Sequence, residues 1–144
     1  MKNLKYMSLL LALVSVMTVS FTSCGNDDED TPAPIIKLEE ANIEGDELSV
    51  EADIVAQGRT ASILINVCDA TGKTIKVAQP VTNSKYIGVL NVNGFHMHVD
   101  IAGKKVVVDD LLKLTVIDAN GCSTTAQKAI TEIKDENEGH DHDK

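Results

Sequence analysis

His96, His98 and Asp100 are the residues whose types and spacing come nearest to a chemical site. They alternate with Phe95, Met97, Val99 and Ile101. Successive side chains of an extended strand point to opposite faces, so the two imidazoles and the carboxylate share one face while apolar residues fill the other. Two imidazoles at this spacing can offer nitrogens to one zinc or copper ion at about 2.0 to 2.1 Å, but a stable site needs a third protein ligand. Asp100 or a residue of an adjacent strand would supply it. The competing reading is a pair of solvent-facing histidines on a polar sheet face. His140 and His142, interleaved with Asp141 and Asp143, form a second candidate for divalent ions. It is the weaker one, because an unfolded ligand set loses entropy when it is ordered.

Other chemistry is sparse. Glu51 and Asp53 stand two residues apart on one strand face, where alternating surface charge is the simpler reading than an acid and base pair. Asp109-Asp110 supplies two carboxylates but no oxygen cage for calcium. The chain has no Gly-x-Ser-x-Gly, His-Glu-x-x-His or phosphate loop. Tyr86 and Phe95 are the only aromatic residues after Cys24, too few to stack on sugars. The residues therefore point to no enzyme and to no resident cofactor.

The elements that must position these residues begin with a leader. Lys2 and Lys5 precede an uncharged run from Met7 to Phe21, too short to span a bilayer and without the polar face of an amphipathic core helix. It reads as a signal peptide over 1–23. Phe21-Thr22-Ser23-Cys24 resembles the bacterial lipobox, in which a large apolar residue and two small ones precede a cysteine that becomes lipidated. That resemblance implies cleavage before Cys24 and acyl chains there as a membrane anchor, at about 0.8 kcal/mol per buried methylene. Residues 24–34 continue as an acidic, proline-bearing linker. Its Asp27-Asp28-Glu29-Asp30 is similar to the export signal of surface-displayed lipoproteins, and a plain solvated spacer is the alternative. Loss of 1–23 removes Lys2 and Lys5 but no acid, leaving 11 basic residues against 22 acidic ones, a net charge of −11. Such a surface disfavours nucleic acid and anionic headgroups, both of which are bound through basic patches.

From 35 to 133 the apolar pattern has period two and no convincing helix. Strands are predicted over 35–41, 47–56, 61–67, 74–79, 85–92 and 95–101, then around Leu112, Leu114 and Val116, and finally 122–133. Asn93-Gly94 is read as a link between two of them, and Pro80 as a strand end. About seven short strands at roughly ten-residue spacing make an all-β, immunoglobulin-like β-sandwich the expected fold, with a closed barrel as the alternative. Residues 134–144 read as a disordered acidic and histidine-bearing tail. In a sandwich of this kind Cys68 ends one strand while Cys122 follows its antiparallel neighbour. That places the thiols about 15 to 20 Å apart, beyond the reach of a disulfide, so two free thiols are predicted.

Phe95-His96-Met97-His98-Val99-Asp100-Ile101, the stretch from Leu112 to Ile117, Asp118-Ala119-Asn120-Gly121 and the turn Gly45-Asp46-Glu47-Leu48 are similar to a set of short bacterial lipoproteins catalogued as domain of unknown function 4625. The resemblance implies an immunoglobulin-like fold, brings no assigned activity with it, and carries over no site residue. The expectation is thus a lipid-anchored binding or accessory module of the outer membrane, facing the cell surface. Its partners would be the membrane through the anchor and another envelope protein. A metal-capturing lipoprotein using His96 and His98 and a structural spacer or assembly subunit are the alternatives.

Overall fold

The computed structural model describes residues 19–24 and 32–132. Nine strands and no helix are found there: β1 Val19–Cys24, β2 Ile35–Glu44, β3 Glu47–Val55, β4 Thr60–Cys68, β5 Ile75–Val81, β6 Asn91–Asp100, β7 Leu111–Asp118, β8 Cys122–Ala129 and β9 Thr131–Glu132. They form two sheets, β1-β8-β7-β4-β5 and β6-β3-β2-β9, and every neighbouring pair is antiparallel except β2 with β9.

Alternation explains the core. Leu48, Val50, Ala52 and Ile54 of β3 are buried and face Ile63, Ile65 and Val67 of β4 and Leu112, Leu114 and Val116 of β7 across the interior. β-branched and leucine side chains fit this pleated, half-buried surface, so Phe95 and Tyr86 suffice as aromatics. The β2–β3 hairpin closes on Gly45 and Asp46, with Gly45 at φ 67°, a left-handed conformation that a side chain disfavours.

Several predicted strands are redrawn. Asn93-Gly94 does not join two strands, because β6 runs straight through it. Only Asp53 of β3 faces these two residues between the Ala52–Phe95 and Ile54–Val92 pairs. Gly94 takes φ 84°, and its amide donates to Asp53 Oδ1 at 2.8 Å. The dipeptide is therefore a β-bulge, the other structure that uses a left-handed glycine. The strand predicted over 85–92 is mostly loop, with Tyr86 packed inward beside Phe95 at 4.7 Å between ring centroids. Pro80 lies inside β5 rather than after it, which an edge strand tolerates because one side of its backbone needs no partner. A register shift between Thr60 and Ser62 leaves Ala61 exposed and buries Thr60 in its place. The final strand stops at Ala129, and the short β9 then crosses to the other sheet.

Two corrections concern sulfur. Part of the predicted leader, β1, pairs with β8, and Cys24 forms a disulfide with Cys122, so Cys122 is not the free thiol expected. Cys68 is free and buried. The expected separation of Cys68 from Cys122 follows from the register: Cys68 sits opposite Leu111 and Ser123 opposite Ile117, about 20 Å apart along β7. What the strand arithmetic missed was a partner upstream of the sandwich. The rest of the leader and most of the linker lie outside the described residues.

Candidate functional site

The outer face of the β6-β3-β2 layer holds the titratable residues. Ladder register sets Asp100 opposite Glu47, His98 opposite Ser49 and His96 opposite Glu51, with Glu44, Asn42 and Glu40 one strand further on. Phe95 and Val99 point the other way into the core, as does most of Met97. The two histidine rings lie side by side, 4.8 Å between centroids. Each has its own carboxylate from β3: His96 Nε2 is 3.7 Å from Glu51 Oε2, and His98 Nδ1 is 3.4 Å from Glu47 Oε1. All four side chains remain 40% or more exposed, so water screens these pairs.

Asp100, the expected third ligand, is not the carboxylate that meets the imidazoles. Its Oδ1 accepts the amide of Ala102 at 3.0 Å and closes the turn after β6. The sequence allows a ligand from an adjacent strand but does not name it: Glu51 is singled out there only beside Asp53, Glu47 not at all, and the β3–β6 register is what brings both to the histidines. Among the described residues no three His, Cys, Asp or Glu side chains converge as a metal-holding group. The face is two imidazole–carboxylate pairs, and gathering them on one ion requires side-chain rotation. His140 and His142 lie outside the described residues.

The same face also presents a serine. Ser49 is 3% exposed, and its Oγ lies 3.4 Å from His96 Nε2. Glu51 approaches that same nitrogen. A nucleophilic triad needs hydroxyl and acid on opposite ring nitrogens, so this arrangement does not activate Ser49 for acyl transfer. Glu51 and Asp53 do not act as a pair either: Glu51 meets His96, and Asp53 secures the Gly94 bulge.

Backbone support for His96 comes from Tyr86. On the open edge of β6 its hydroxyl donates to the carbonyl of His96 at 3.3 Å and lies 3.4 Å from the His96 amide. Tyr86 is itself anchored through Thr60, whose Oγ1 donates to the Tyr86 carbonyl at 2.7 Å. The histidine face is thus positioned from both sides, by the β3 ladder and by a loop that crosses from the other sheet.

The remaining acidic candidates are structural. Asp110 is buried, and its Oδ2 accepts from Lys76 Nζ at 2.7 Å and from the Val107 amide at 2.9 Å. Its charge is spent on a cation of the same chain, so Asp109-Asp110 offers no open carboxylate pair to calcium. Asp69 caps the β4–β5 turn, where Oδ1 accepts from the Thr71 hydroxyl at 2.6 Å and the amides of Thr71 and Lys73. The Thr71 hydroxyl bond, helped by backbone amides and opposed by desolvation, lowers its pKa from 3.8 to about 2. No family model, curated protein or solved structure matches this chain.

Proposed function

We propose that this protein is a lipid-anchored, exported binding or accessory module of the cell envelope, held at the outer membrane and facing the cell surface. The observation that carries the reading is a charged-then-apolar leader ending in Phe21-Thr22-Ser23-Cys24 and followed at once by an acidic linker. A sandwich behind a tether, with a polar and open outer face, suits recognition of a partner better than enclosure of a substrate. The net charge of −11 expected after cleavage argues against nucleic acid as that partner.

Strand order supports an immunoglobulin-like reading of the sandwich, the fold implied by the resemblance to the domain of unknown function 4625 lipoproteins. With β1 and β9 set aside, β6-β3-β2 faces β8-β7-β4-β5, and the chain changes sheet after β3, β5 and β6.

Lipidation and the Cys24–Cys122 bridge are alternative fates of one sulfur, since a thioether on Cys24 Sγ leaves nothing to bond Cys122. Cleavage before Cys24 also strips residues 19–23 from β8. Palmitate labelling tests the anchor. Label on the wild-type chain, absent from Cys24→Ala together with loss from the membrane fraction, is the expected result. An unlabelled wild-type chain ends the reading.

Metal capture is the second reading, favoured by the adjacent rings and by Glu51 and Glu47 beside their nitrogens. Titration of the mature protein with zinc and copper tests it: the His96→Ala, His98→Ala double variant loses binding if the reading holds and binds unchanged if it does not. Cross-linking on intact cells separates a ligand-binding module from a structural spacer, which would be joined to one envelope protein in fixed stoichiometry.

A further inference from the structure

With β1 set aside, the four outermost strands of the two sheets differ in how they are guarded. β5 carries Pro80 and Lys76, both of which blunt edge pairing. β6 is interrupted by the Gly94 bulge and engaged at His96 by the Tyr86 hydroxyl. β9 is two residues long. β8 is the exception: it runs eight residues, Cys122–Ala129, with no proline and with Lys128 as its single charge, and its register with β7 is unshifted. Its other side is occupied by β1 in six consecutive antiparallel pairs, Val19 opposite Gln127 through Cys24 opposite Cys122.

If the lipoprotein reading holds, maturation removes residues 19–23 and leaves this long, regular edge open. We propose that a second copy of the mature chain fills it, β8 against β8, antiparallel about a twofold axis through Thr125. The edge accepts an antiparallel strand without distortion, as β1 demonstrates. Identical strands meeting antiparallel are related by a twofold, which must pass through a residue to keep like faces together; the register proposed sets Thr125 opposite Thr125, Ser123 opposite Gln127 and Cys122 opposite Lys128. No acid faces an acid in that pairing. Glu40, Glu44, Glu47 and Glu51 lie on the other sheet, whereas β7 and β8 bear Lys113, Lys128 and a single buried acid, Asp118. For a chain of such negative charge, pairing through β8 brings no exposed carboxylates of that strand together. Pairing joins two β8-β7-β4-β5 layers into one continuous sheet and places the two Pro34 carbonyls, each held by a hydrogen bond from Thr124 Oγ1, close to the axis and on either side of it. Ten Cα–Cα steps lead from Cys24 to Pro34, a reach of up to about 33 Å, enough for both lipids to enter one membrane.

The test uses lipidated protein extracted from membranes in detergent. Intact mass reports cleavage and acylation, and light scattering at tens of micromolar reports assembly. The expected result is a cleaved, acylated dimer, weakened about tenfold or more by Thr125→Lys, which sets two lysines against each other on the axis. Thr125→Cys, a smaller change, should yield a covalent dimer with a short bismaleimide while the parent chain yields none. A cleaved, acylated monomer, or a Thr125→Cys chain that does not cross-link, overturns the proposal. A chain retaining residues 1–23 overturns the lipoprotein reading instead, and the vacated edge falls with it.

Discussion

Lys76–Asp110 and the His96–Glu51 and His98–Glu47 pairs are acid–base contacts of similar chemistry in different surroundings. Lys76 and Asp110 retain 21% and 4% side-chain exposure and meet at 2.7 Å, with the Val107 amide and the Lys105 carbonyl completing their bonds. The histidine pairs are at least 40% exposed and 3.4 to 3.7 Å apart. Burial makes the first pair hard to break, because losing one partner strands a charge away from water. Exposure makes the others cheap to break, because water replaces the partner. A group available to a ligand belongs to the second kind, which is why the outer face of β6 and β3 is the candidate site and the Asp110 corner is not.

The comparison breaks first at Asp110. Replacing Asp110 with Ala should cost about 3 kcal/mol in urea unfolding, since it strands Lys76 and orphans the Val107 amide. A loss below about 1 kcal/mol would reduce this pair to a surface contact. The His96→Ala, His98→Ala variant should shift stability by less than about 1 kcal/mol, and a larger loss would mean that the face serves the fold rather than a ligand. The smallest effect is at Asp69. Thr71→Val should raise its titration, followed by NMR, from about 2 back toward 3.8. A carboxylate with a lowered folded pKa adds stability above its unfolded value and loses it as pH falls through the folded one. The variant should therefore lose stability less steeply between about pH 4 and pH 2.

Much of the sandwich was legible because burial on one face of a strand writes itself as alternation. Leu48, Val50, Ala52 and Ile54 announce their face, and so do Leu112, Leu114 and Val116. The orientation of His96, His98 and Asp100 away from Phe95 and Val99 followed from the same rule. The failures fall where one local signal serves two structures. Asn-Gly suits a hairpin and a bulge alike, and proline ends an inner strand but sits within an edge strand.

Sequence alone determined the all-β pattern, the acidic charge and the shared face of the two histidines, because composition and the alternation of near neighbours carry them. Tertiary structure decided that Glu51 and Glu47, rather than Asp100, stand beside the imidazoles, that Tyr86 steadies His96, and that Cys122 meets Cys24 and not Cys68. Those contacts join residues up to 98 positions apart. Strand register makes them, and register is settled by the packing of all the strands together.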